Sequence, residues 1–200
     1  MQKNLRITGL FISIIILFIM SVLALIVIDL ANKSRSDLPI LGDVPVFNFI
    51  ERSGMPFGYD DMKGKINIVN FFFTTCRGPC PIMNARVAEL HKKYSTTDKV
   101  RFISISVDPK RDSLTVLRQY ANDFGVTDDR WFFLRGELDE VHRVSEEGFM
   151  LAGDLPTIHS TKLVLVDENQ KIRGYYDSFD EESLRLLTVH VRELLYGDGP

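Results

Sequence analysis

The sequence predicts an α/β domain carried behind a single membrane-spanning helix. Three observations point there. Residues 9–28 run for twenty positions without a charged side chain. Residues 66–73 form a nearly continuous apolar run, as a strand buried on both faces requires. From that run onward, strand and helix periodicities alternate almost to the end of the chain. The composition is globular, with 45% hydrophobic and 26% charged residues, which excludes disorder and fibrous repeats. A net charge of −3 leaves no basic footprint, so nucleic acid is not an expected partner.

Taken in order, the apolar stretch comes first. A helix of that length rises about 1.5 Å per residue and spans roughly 30 Å, the thickness of a bilayer core. No convincing small-x-small cleavage site follows it, so it reads as an uncleaved anchor, with a cleaved signal peptide as the alternative. Lys3, Arg6 and the N-terminal amine precede it, and Lys33 and Arg35 follow it. That count leans toward an inside N-terminus and a translocated domain. The expected divisions are an anchor over 1–31, a polar linker over 32–45 containing Pro39, Gly42 and Pro45, and a folded domain over 46–197.

Within the domain, 46–50 alternates as a short strand, and 59–64 has the composition of one helical turn. The central strand over 66–73 is followed by Met83, Val87, Leu90 and Tyr94, one face of a helix. A strand over 100–107 ends in Asp108-Pro109-Lys110-Arg111-Asp112, where Asp112 is suited to cap the helix carrying Leu114, Leu117, Ala121 and Phe124. Residues 131–134 make another strand, and Leu138, Val141 and Val144 a short helix. Strands over 161–167 and 172–176 flank a turn at 168–170 and add an antiparallel edge to the sheet. Ser178 and Glu181 form a capping-box pair before a last amphipathic helix stopped by Gly197.

The chemistry concentrates in Phe73-Thr74-Thr75-Cys76-Arg77-Gly78-Pro79-Cys80-Pro81, which holds the only two cysteines. It follows the central strand, and ligands of such sheets bind at the carboxyl ends of the strands. Three readings stand for the pair. Two buried thiols would act as small hydrophobes. A redox pair would exploit the helix N-terminus and Arg77, both of which favour thiolate. A metal site would need further ligands, because two thiolates make a poor zinc site but suit copper when an imidazole joins them. Of the four histidines, His91, His142 and His190 fall on helices and read as surface or partly packed side chains. His159 falls in a loop just before a strand and is the candidate third ligand.

Thr75-Cys76-x-x-x-Cys80-Pro81, then Ser106-Val107-Asp108-Pro109-Lys110-Arg111-Asp112, then His159-Ser160 leading into 163–167 and Gly174-Tyr175-Tyr176, resembles the Sco/SenC family over most of 45–195. The resemblance implies a thioredoxin-like fold with an N-terminal transmembrane helix. It implies a membrane-anchored copper chaperone, taking Cu(I) or Cu(II), that assists assembly of cytochrome c oxidase. Cys76, Cys80 and His159 then match the copper ligands, and Cys76 and Cys80 the redox-active pair. The implied acceptor is the dinuclear copper site of oxidase subunit II, with another copper carrier or thiol reductase of the same compartment as further partners. The implied location is the inner membrane, with the domain in the periplasm or the mitochondrial intermembrane space. A thiol–disulfide oxidoreductase or redox sensor is the alternative. One departure stands out: Arg77-Gly78-Pro79 occupies positions where many family members carry Pro-Asp-x.

Overall fold

The computed structural model describes residues 14–25, 38–151 and 160–197. The chain divides into two compact units, the larger being Leu38–Leu195. In the smaller, residues 14–25 form a helix (α1) whose side chains are all exposed. The remainder of the expected span lies outside the described residues. Among the described residues no helix is long and apolar enough to cross a membrane.

Among its described residues the larger unit contains eight strands: β1 (Gly42–Asp43), β2 (Asn48–Glu51), β3 (Pro56–Gly58), β4 (Ile66–Phe72), β5 (Val100–Ser106), β6 (Trp131–Arg135), β7 (Lys162–Val166) and β8 (Lys171–Asp177). Its helices are α2 (Pro79–Lys93), α3 (Leu114–Asp123), α4 (Leu138–Arg143) and α5 (Glu181–Tyr196). The strands form one sheet in the order β1-β8-β7-β4-β5-β6-β2-β3. β4, β5 and β6 run parallel, while β7 lies antiparallel on the other flank of β4.

β4 is central because nothing in it needs water. All of its residues are buried, and its side chains divide by the period of two. Ile66, Ile68 and Phe72 join the core that includes Met83 and Val87 of α2, Leu117 of α3 and Leu187 of α5. Val69 and Phe71 join the opposite core with Phe49, Ile105, Val141 and Phe149. Burying each such side chain fully stabilises the fold by about 1.5–3 kcal/mol. The sheet is therefore covered on both faces, as the sequence predicts.

Four local expectations are corrected. The closing hairpin is not an outer edge: β7 pairs with β4, and β1 continues the sheet beyond β8. Residues 38–45, which read as the end of a linker, pack on the domain. Leu41 N–H donates to the Ile172 carbonyl at 2.8 Å, and Val44 is buried. Asp112 does not cap α3; Ser113 does, its hydroxyl accepting from Val116 N–H at 3.3 Å. Asp180, not Ser178, caps α5, accepting from Ser183 N–H at 2.9 Å. In both helices the chain enters one or two residues later than its composition suggests. The carboxylate or hydroxyl beside the true first turn then takes the role.

Candidate metal centre

Cys76 and Cys80 are free thiols, and both are buried. Cys76 lies in the loop leaving β4, and Cys80 is the second residue of α2. Helix α2 starts at Pro79, whose fixed backbone suits a first helical position. Gly78 precedes it with φ −110° and ψ −116° and has no side chain to cap the helix. Both sulfurs pack into the same core as Phe72, Met83 and Leu117. The surroundings that the sequence presents as polar are thus only the outer half of the loop, where Thr75, Arg77 and Gly78 are exposed.

This burial reverses the expected acidity. The Cys80 thiol is pushed up to about 12, first by burial and then by its hydrogen bond to the Cys76 side chain and that neighbour's charge. A backbone hydrogen bond at Phe73 and its own N–H pull the other way without prevailing. Pro79 and Pro81 explain why the helix end is a weak counterweight. They lack two of the free N–H groups that a helix N-terminus normally offers. Arg77 is exposed and does not offset the desolvation.

Beneath the pair lies a buried hydrogen-bond chain that sequence reasoning missed. Asn70 Nδ2 donates to Asn84 Oδ1 at 2.9 Å, and Asn84 Nδ2 donates to the Tyr120 hydroxyl at 2.9 Å. Ser104 Oγ donates to Asn70 Oδ1 at 2.7 Å, and Trp131 Nε1 donates to Ser104 Oγ at 2.9 Å. The chain links β4, α2, α3, β5 and β6, entering α2 at Asn84 in its second turn. Its visible signal was Asn70 standing inside an apolar run, since a buried amide needs partners. The Tyr120 ring stacks on Phe72 with centroids 5.1 Å apart. Its hydroxyl is pushed up to about 12, by burial first and then by the charges of Cys80, Cys76 and Asp112.

His159 lies outside the described residues. From Ser160 the chain enters β7, which runs antiparallel to β4 with Val69 opposite Val164. β7 therefore begins at the rim where β4 ends and the cysteine loop starts. The other histidines are engaged elsewhere. A His91 ring nitrogen lies 2.8 Å from Asp128, and the ring packs on Phe102 and Trp131, so it is a partly packed side chain. His190 Nδ1 lies 2.6 Å from the Tyr176 hydroxyl, and His142 Nδ1 lies 3.8 Å from Glu146. Among the described residues no group of three or more His, Cys, Asp and Glu side chains could hold a metal. The described donor set is two sulfurs, a soft pair that fits copper and leaves a coordination position to be filled.

Known proteins place this arrangement. Residues 43–194 match the family model described as SCO1/SenC. A SCO1 protein homolog of Bacillus subtilis is 30% identical over 149 residues, covering 71% of this chain and 77% of that protein. BsSco, a member of the Sco family of cytochrome c oxidase assembly proteins in which a disulfide switch was identified, superposes with a TM-score of 0.71. It is 27% identical, with 78% of this chain and 96% of that one covered. Copper-bound ScoI of Arabidopsis thaliana shares the fold, with a TM-score of 0.64 and 21% identity over 76% of this chain and 99% of that one.

Proposed function

The chain belongs to the SCO1/SenC family, and from that premise we propose that it is a copper chaperone whose ion is held by Cys76, Cys80 and His159. The observation that carries the reading is the juxtaposition of two free, buried thiols at the carboxyl end of β4. The fold supports the third ligand, because β7 delivers Ser160 to that same rim. Thiolate sulfur and imidazole are the donor types that Cu(I) and Cu(II) share. Copper is cargo here, passed by ligand exchange to an acceptor site of like donors. Family membership supports cytochrome c oxidase as the assembly served, with the dinuclear site of subunit II as the acceptor. The apolar stretch over 9–28 supports tethering to the inner membrane, with the domain in the periplasm or intermembrane space.

The test separates copper binding from thiol chemistry. His159→Ala should lose copper by at least tenfold in affinity while its dithiol still exchanges with glutathione. Metal analysis of the reduced protein after dialysis reads the first and thiol counting the second. Copper retention equal to the wild type would remove His159 from the site.

A second reading has its own support. Both thiols are free and buried in one core, and Cys76 is near enough to Cys80 to raise the pKa of its thiol. Forming the disulfide releases two protons and two electrons, taken up as a partner disulfide becomes two thiols. The closed pair offers no thiolate to copper, so oxidation would gate loading. Thiol–disulfide exchange or redox sensing is then the same site used without metal.

A further inference from the structure

The turn between β5 and α3 carries a carboxylate that the proposed ligand set does not use. Asp112 is fully buried. Its oxygens accept from Thr74 N–H at 3.3 and 3.2 Å, from the Thr74 hydroxyl at 2.5 Å and from the Ser106 hydroxyl at 2.5 Å. Among the described residues it has no cationic partner within ion-pair distance. Burial raises its pKa, while the Ser106 and Thr74 donors act against that rise. Burying a carboxylate without a cation is costly, and the cost is met only where fixed donors replace water.

Those donors come from two strand ends. Ser106 is the last residue of β5, and Thr74 lies just past the end of β4, two residues before Cys76. The loop continues directly, with Cys76 N–H donating to the Phe73 carbonyl at 3.3 Å. Asp112 is itself held, its N–H donating to the Asp108 carbonyl at 2.9 Å. The Tyr120 phenol feels Cys80, Cys76 and Asp112 together, so the three acids share one neighbourhood.

We infer that Asp112 is a positioning residue of the cysteine site: by gripping Thr74 it fixes the turn that sets the Cys76 sulfur beside Cys80. The inference deepens the copper reading and rests on it for its metal readout alone. Asp112→Asn keeps the shape but turns one acceptor into a donor facing donors. Thr74→Val removes the hydroxyl donor, and Thr74→Ser keeps it. Three measurements on the full chain decide. They are the unfolding midpoint of the reduced protein, the equilibrium of the metal-free dithiol with oxidised glutathione, and the sulfur-to-Cu(II) absorption and EPR spectra after loading.

Asp112→Asn and Thr74→Val should each move the thiol equilibrium at least threefold and change the copper spectra, with Thr74→Ser matching the wild type. The double variant should shift the equilibrium no further than Asp112→Asn alone, because both changes break one clamp. Variants that only lower the unfolding midpoint, with equilibrium and spectra of the wild type, would reduce Asp112 to scaffold and overturn the inference. If Asp112→Asn does not fold, the contrast between Thr74→Val and Thr74→Ser decides in its place. If the wild type takes no copper, the copper reading falls and the thiol equilibrium still decides the clamp.

Discussion

At the scale of single residues, the acidity of Cys80 is set by burial. Arg77 and the helix end both favour thiolate, and from the sequence they are the visible influences. What the sequence hides is that Cys80 turns inward from a first turn depleted of N–H groups by Pro79 and Pro81. With its thiol pushed up to about 12, Cys80 of the metal-free protein should stay protonated across the neutral range. Its alkylation rate by iodoacetamide, followed by mass spectrometry, should climb with pH well beyond the ordinary thiol midpoint of about 8.5. Arg77→Asp should leave that profile in place, because an exposed charge is screened by water. A midpoint near 8.5, or one that moves by a unit in Arg77→Asp, would return the site to charge control.

At the scale of elements, what the sequence shows depends on length and period. β4, β5, α2 and α3 are long enough for their apolar stripes to declare themselves, and all four form where expected. β1 and β3 have two and three residues and carry no period at all. Helix starts fall between these cases. Ser178-Phe179-Asp180-Glu181 contains two competent caps, and only the backbone path chooses between them. The structure chooses Asp180, which accepts from Ser183 N–H, and leaves Ser178 Oγ buried without a partner among the described residues. Asp180→Ala should therefore cost about 1 kcal/mol of stability, the usual worth of a cap. Ser178→Ala should be neutral or slightly stabilising, since it removes an unpaired hydroxyl from a buried place. Urea unfolding midpoints of the two variants check this directly, and the opposite ranking would restore the capping box.

At the scale of the whole molecule, the informative question is where the folded unit begins. Composition places the boundary after Pro45, because 32–45 is polar and contains turn residues. The packing places it earlier. Arg173 pairs with Asp167 at 2.8 Å, both nearly buried, and the same guanidinium donates to the Leu38 carbonyl. β1 adds to the sheet by pairing with β8, and Val44 N–H donates to the Gln170 carbonyl at 3.1 Å. A linker and an edge strand of two residues look alike in sequence, because what distinguishes them is a partner more than a hundred positions away. A fragment over 38–197 should accordingly unfold in one cooperative urea transition, with the glutathione equilibrium of the full chain. A fragment over 46–197 loses the buried Val44 side chain, worth about 1.5–3 kcal/mol, and several hydrogen bonds of roughly 0.5–1.5 kcal/mol each. It also uncovers the Arg173–Asp167 pair. Its stability should fall by about 3 kcal/mol or more, and equal midpoints for the two fragments would show that 38–45 is linker after all.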